Sequence, residues 1–334
     1  MESLIIRVDA SAQIGTGHLM RCLALAQAWK DGGGEVTFIT ACHDEGLLQR
    51  LRDEEFDVKL LPSAYPDTAD WNFTRDILTG HPGARVVLDG YHFDEVYQRQ
   101  VKEAGYRLLV IDDMAHLKHY YADILLNQNL GAEQFDYSCE SYTRLLLGTC
   151  YVLLRREFLS WKNWKREIPE VAWRILVTMG GSDSENHTLK VVQILQKVDM
   201  PALEVTVVIG ASNPHADELE AAARQSRIPI RLISNEKNMP ELMAWADVAI
   251  SAGGSTVWEL VYMGLPIMVV VLASNQEAIA RSLQERGGGY SFSREQVQRL
   301  LLNRTMRMTI NQNRKSIIDG CGAKRLMTIL RDEK

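Results

Sequence analysis

The stretch Ile5-Ile6-Arg7-Val8-Asp9-Ala10-Ser11-Ala12-Gln13-Ile14-Gly15-Thr16-Gly17-His18-Leu19-Met20-Arg21-Cys22 opens as a short apolar strand and runs into a turn built on Gly15 and Gly17. A helical period follows, with Leu19, Cys22, Leu23 and Ala26 on one stripe. A glycine turn between strand and helix gathers free backbone N–H groups and the positive end of the helix dipole at one place. His18 stands at that place. A dipole of that sign favours a neutral imidazole, and a neutral imidazole can accept a proton. Two readings stand side by side: a base, or an anchor for a nucleotide or sugar with no proton transfer.

Around that stretch, 334 residues suit two domains better than one core. The net charge of -6, without any Lys/Arg-rich block, argues against a nucleic-acid partner. The first residues carry Glu2 and Arg7 and do not read as a signal peptide. The longest apolar run, Leu265 to Ala273, is strand-sized, so no membrane partner is expected. Five cysteines (22, 42, 139, 150 and 321) are scattered without Cys-x-x-Cys spacing, which argues against a zinc site or a disulfide framework. The chain reads as a cytoplasmic monomer that needs no metal or other cofactor.

Strand-like and helix-like patterns alternate through the first half. Strands are expected at 4–8, 36–40, 58–61, 85–88, 107–111 and 124–126, with helices at 17–31, 45–54, 71–78 and 94–104. This rhythm predicts an α/β domain with a parallel sheet covered on both faces, over residues 1–160. Ligands of such sheets sit beyond the carboxyl ends of the strands. Three of those ends are polar: Gly15–His18, Asp89–Tyr91 and Asp112-Asp113. Asp89 and Asp112 suit either the orientation of a base or the capping of the next helix. Tyr91 is the stronger candidate, because a phenol at a strand end is seldom needed for packing. Asn127-Gln128-Asn129 reads as a turn. Arg155 or Arg156, near the expected junction, could meet a diphosphate.

Residues 160–172 read as a charged linker, and a second βα series, over 172–334, starts at Arg174. Its first strand ends in Gly180-Gly181-Ser182-Asp183, and Val248 to Ser251 runs into Ala252-Gly253-Gly254-Ser255-Thr256. Amides and hydroxyls at the latter turn suit a diphosphate. Glu259 could accept hydrogen bonds from a ribose diol or simply complement the helix dipole. Ser274-Asn275-Gln276 suits sugar contacts or a helix cap. Two such halves imply a cleft between them. A last helix, about 308–330, is expected to cross back and brace the first domain.

Taken together, Arg7-Val8-Asp9-Ala10-Ser11 with Ile14-Gly15-Thr16-Gly17-His18, Leu147-Gly148 with Tyr151 and Arg155, Gly180-Gly181-Ser182-Asp183, and Gly253-Gly254-Ser255-Thr256 with Trp258-Glu259 resemble the PseG/SpsG family. Gly264-Leu265-Pro266 and Asn275-Gln276 complete the set, which runs in order from about residue 4 to residue 290. The resemblance implies a GT-B fold, two Rossmann-like domains facing a cleft, as in MurG. It implies hydrolysis of UDP-2,4-diacetamido-2,4,6-trideoxy-β-L-altropyranose in pseudaminic acid synthesis, metal-independent, by C–O cleavage with inversion. It implies that His18 is the base, that Tyr91 lies by the sugar, and that Gly181, Ser182, Ser255, Thr256, Glu259 and Asn275 hold UDP. Asp9, Gly15, Thr16, Gly17, Arg155, Gly254 and Gln276 join them as expected substrate contacts. The alternative is a GT-B glycosyltransferase that passes a nucleotide-linked sugar to a surface or spore-coat polysaccharide. Two departures are visible: the family often reads Asp-His-Tyr where this chain has Asp89-Gly90-Tyr91-His92, and the region past 290 is longer than in a minimal member.

Overall fold

The computed structural model describes residues 2–11, 14–181, 183–210 and 213–332. The chain forms two compact units. One comprises residues up to 14, 18–156 and 320 onward, and the other 157–319 with 15–17.

The first unit is built on seven strands: β1 (Ser3–Val8), β2 (Glu35–Thr40), β3 (Asp57–Leu60), β4 (Arg85–Asp89), β5 (Arg107–Ile111), β6 (Ile124–Asn127) and β7 (Arg144–Leu147). They pair in parallel in the order β3-β2-β1-β4-β5-β6-β7. The period of two is visible along β1. Leu4, Ile6 and Val8 enter the core that contains helix Gly17–Asp31, while Ile5 enters the core on the opposite face. Arg7 shares the face of Ile5 and is fully buried, which it sustains through paired carboxylates: its guanidinium meets Asp9 at 2.6 Å and Asp70 of helix Thr68–Thr79 at 2.5 Å.

The second unit repeats the plan with β8 (Arg174–Thr178), β9 (Glu204–Ile209), β10 (Ile230–Ser234), β11 (Val248–Ala252), β12 (Ile267–Val270) and β13 (Tyr290–Ser291), all parallel, in the order β10-β9-β8-β11-β12-β13. Both sheets therefore reverse direction once, between β1 and β4 and between β8 and β11. At such a switch point the two flanking connections leave on opposite faces, which opens a crevice at the carboxyl ends.

The expected last helix is two helices. Arg304–Ile317 belongs to the second unit and Gly322–Asp332 to the first. The break lies at Ile318, which is extended (φ −143°), and at Gly320 (φ +75°), a left-handed conformation that interrupts a helix. Gly322 then passes so close to Tyr151 and Val152 that a Cβ there would lie 2.2 Å from the Val152 carbonyl oxygen. Beyond it, Ala323, Leu326 and Leu330 enter the first unit's core beside helix Gly17–Asp31. Arg331 lies over the ring of Trp29 at 5.0 Å, and Arg85 Nε donates to the Leu330 carbonyl. Among the described residues no helix is long and apolar enough to cross a membrane.

Candidate active site

The switch point of the first sheet brings His18 and Asp89 together. His18 follows β1 at the start of helix Gly17–Asp31, and Asp89 is the last residue of β4, paired in register with Val8. His18 Nδ1 lies 2.5 Å from Asp89 Oδ1. A carboxylate only accepts, so Nδ1 carries the hydrogen and Nε2 is left to take a proton. Arg21, one turn further along the same helix face, donates Nε to Asp89 Oδ2 at 2.7 Å and Nη2 to Oδ1 at 2.7 Å. Burial works against the ionised carboxylate, but Arg21 and His18 outweigh it and hold Asp89 well below the usual carboxylate range. Burial and the neighbouring Asp89 push the Cys22 thiol up, so it stays protonated against that carboxylate at 3.3 Å.

Arg21 also joins the next strand end. Its Nη1 donates to both oxygens of Asp113 at 2.8 Å, and Asp113 accepts from Tyr91 Oη at 2.7 Å and Asn129 Nδ2 at 2.7 Å. The Tyr91 ring meets the His18 ring edge-on, with centroids 4.8 Å apart. One buried guanidinium thus links the partner of His18 to the partner of Tyr91. His18 itself is buried, 7% exposed, but in this polar cluster and outside the apolar core that begins at Leu19.

Asp9 is placed differently from a free ligand contact. Oδ1 accepts from Arg7 and from Ala41 N at 2.6 Å, and Oδ2 from Arg7 at 2.7 Å and His92 Nε2 at 3.0 Å. Burial raises its pKa, but His92 and Arg7 bring it well below the ordinary value. The departure at residue 90 is part of the same arrangement. Gly90 has φ +158°, and a Cβ there would lie 2.6 Å from the His92 ring, so the missing side chain makes room for the imidazole that reaches Asp9. Asp89 and Asp112 also part ways. Asp94, not Asp89, caps the helix Glu95–Glu103, whereas Asp112 caps its own turn through Met114 N and Ala115 N. Arg155 is buried in the first unit; Arg156 pairs with Asp31 and Glu54. Gly15 has φ +81°, Thr16 follows it, and Gly17 opens the helix of His18.

In the second unit the switch-point strands β8 and β11, with β12 beside them, bring Gly181, Gly254, Ser255, Thr256, Asn275 and Gln276 to one end of the sheet. Ser182 lies outside the described residues. The two glycine turns differ. After Gly181, the Asp183 carboxylate accepts from His187 N and Thr188 N, both at 2.8 Å, and Asn186 accepts from Leu189 N. The start of helix His187–Leu195 is therefore filled by the chain's own groups. Helix Thr256–Tyr262 has no side-chain cap at Ser255; Val257 N and Trp258 N donate to the Gly254 and Ser255 carbonyls, so the turn presents the N–H groups and hydroxyls of Ser255 and Thr256. Glu259, 8% exposed, lies in that helix. Gln276 Oε1 accepts from Gly253 N at 3.1 Å and Leu272 N at 3.0 Å, which fixes the ends of β11 and β12 to each other. Among the described residues no group of three or more His, Cys, Asp or Glu is placed to hold a metal ion.

Sequence reasoning left out Arg21, Asp113 and Asn129. The spacing of Arg21 three residues after His18 was the available signal for the first. Asp113 and Asn129 were visible only as part of a polar strand end and of a turn; their roles arise from the adjacency of β5 and β6.

Residues 174–317 match the glycosyltransferase family 28 C-terminal domain. The chain is 28% identical over 275 residues to the uncharacterised protein MJ1062 of Methanocaldococcus jannaschii, covering 80% of this chain and 55% of that protein. It is 26% identical to the UDP-2,4-diacetamido-2,4,6-trideoxy-beta-L-altropyranose hydrolase of Campylobacter jejuni, over 85% of this chain and 97% of that protein. It is 23% identical to the spore coat polysaccharide biosynthesis protein SpsG of Bacillus subtilis, over 98% and 97%. The crystal structure of Acinetobacter baumannii MurG superposes with a TM-score of 0.65 at 13% identity, covering 99% of this chain and 100% of that one.

Proposed function

We propose that this chain, similar in sequence to PseG and SpsG and in fold to MurG, hydrolyses a UDP-activated diacetamido-trideoxy sugar to free sugar and UDP. The observation that carries the reading is the His18–Asp89 pair, which leaves Nε2 as the proton-accepting nitrogen. UDP is a good leaving group, so cleavage of its glycosyl bond needs little help from a general acid. The work left to the protein is to activate water and to stabilise diphosphate charge. His18 takes the water proton, a contribution of roughly 10²–10⁴-fold for a positioned base. Asp89 fixes the tautomer and Arg21 fixes Asp89. Tyr91, anchored by Asp113, contacts the sugar. In the second unit the uncapped turn Gly254–Thr256 receives the diphosphate and Glu259 the ribose, with Gly181 and Asn275 beside them. Asp9 and Gln276 act through their neighbours, by holding Arg7 and His92 and the ends of β11 and β12.

Water enters from the face opposite the departing diphosphate, which inverts the anomeric centre. The match to a glycosyltransferase domain favours a second reading, transfer of the sugar to an acceptor. One assay separates the two. The protein is incubated with UDP-2,4-diacetamido-2,4,6-trideoxy-β-L-altropyranose, without acceptor, in ¹⁸O-water. Free UDP and a sugar labelled at its anomeric oxygen are expected. Intact substrate overturns hydrolysis, and label in UDP overturns C–O cleavage.

A further inference from the structure

Asp113, just beyond the end of β5, faces donors on both of its carboxylate oxygens. Arg21 Nη1 is shared between Oδ1 and Oδ2, 2.8 Å from each. Asn129 Nδ2 donates to Oδ1 at 2.7 Å, from the buried turn that follows β6. Tyr91 Oη donates to Oδ2 at 2.7 Å. The Asp113 and Arg21 side chains are 9% and 6% exposed, so water competes little with these donors. The Arg21 cation pairs with the carboxylate form, and a carboxylate only accepts. The phenolic hydrogen of Tyr91 is therefore directed at Asp113. A phenol carries a single hydrogen, so every further bond at Tyr91 Oη has to be received and not given. The Tyr91 ring meets His18 edge-on at 4.8 Å, which sets this phenol beside the proposed base.

We propose that Asp113 is a positioning residue that sets specificity: by taking the hydrogen of Tyr91 it leaves a phenol that accepts, so the sugar group read there is a hydrogen-bond donor. The proposal rests on the reading that Tyr91 contacts the sugar. A UDP-linked diacetamido-trideoxy pyranose offers three such donors, its two acetamido N–H groups and its 3-hydroxyl. Its carbonyl and ring oxygens only accept, and would meet a lone pair at Tyr91 Oη. Arg21 ties this direction to the base, because the guanidinium that holds Asp113 through Nη1 holds Asp89, the partner of His18, through Nε and Nη2. Asp113→Asn leaves one accepting oxygen for three donors, with its NH2 turned to Tyr91. The phenol then accepts from that amide and gives its own hydrogen to the sugar.

The test measures kcat/KM for UDP release by the native protein, Tyr91→Phe and Asp113→Asn. The substrates are UDP-2,4-diacetamido-2,4,6-trideoxy-β-L-altropyranose and three analogues that each lack one donor: an acetate ester in place of the 2-acetamido or the 4-acetamido group, or fluorine in place of the 3-hydroxyl. The native protein is expected to turn over at least one analogue about tenfold less efficiently than the parent, which identifies the donor that is read. That penalty is expected to shrink to within about twofold in Tyr91→Phe and in Asp113→Asn. Native penalties all within about twofold, or a penalty that persists unchanged in Tyr91→Phe, overturn the proposal even if Asp113→Asn fails to fold. A penalty lost in Tyr91→Phe but kept in a folded Asp113→Asn overturns the role of Asp113. Full turnover of the parent by Tyr91→Phe and Tyr91→Ala overturns the sugar-contact reading instead, and no UDP release from the parent by the native protein overturns hydrolysis itself.

Discussion

Two His–Asp pairs stand at neighbouring strand ends of one sheet, and their carboxylates have different surroundings. At the end of β4 the Asp89 carboxylate is shared between His18 and the Arg21 guanidinium, which meets both of its oxygens. At the end of β5 the Asp112 carboxylate is shared between His116 and four neutral donors. The first carboxylate has a fixed cation whatever the histidine does. The second depends on its histidine for charge balance. A His–Asp pair is therefore not a functional unit in itself. The third partner decides whether the carboxylate has a fixed cation besides its histidine.

The widest separation between the pairs is expected from His18→Ala. Turnover should fall at least about 100-fold while UDP binding, measured by calorimetry, stays within a few-fold of native. Near-native turnover would remove His18 from the base role and erase the contrast. Asp89→Asn should come next, with kcat down about 10–100-fold and little change in KM, because the amide lacks the charge and can turn its NH2 to Nδ1, which sets the other tautomer. A change confined to KM would mean that the pair binds and does not catalyse.

Asp112→Asn should act on stability first. It should lower unfolding free energy by about 1–3 kcal/mol in urea titration, as the turn 113–116 loses its anchor and His116 its counter-charge. If kcat changes more than stability, the two pairs are more alike than proposed.

The smallest effect is the pH dependence of melting. Asp9, Asp89 and Asp112 are all held below the ordinary carboxylate value. Their contribution is present above the unfolded value, about 4, and is lost as pH falls below it toward the folded values. The raised group, His116, works in the opposite sense. Its contribution is full below about 6.5 and disappears as pH rises through its folded value. Calorimetry across pH should show both flanks, and His116→Gln should flatten the alkaline one alone.

The two parallel sheets were legible in the amino-acid order alone, because strands buried on both faces and spaced by helices leave a local record in apolar runs and glycine turns. That order marked His18, Tyr91, Asp89 and Asp112 as strand-end polar residues for the same reason. It misled over the last helix, since the break at Ile318 and Gly320 and the approach of Gly322 to Val152 answer to a partner 170 residues earlier in the chain. Which carboxylate meets which histidine was decided by the folded chain. Arg21 reaches Asp89 and Asp113 across 68 and 92 residues, and the His116 ring meets that of Tyr91 because β4 and β5 pair side by side. Charge balance at a buried group is set by whatever lies within a few ångströms, and neighbours in space are not written next to each other in the chain.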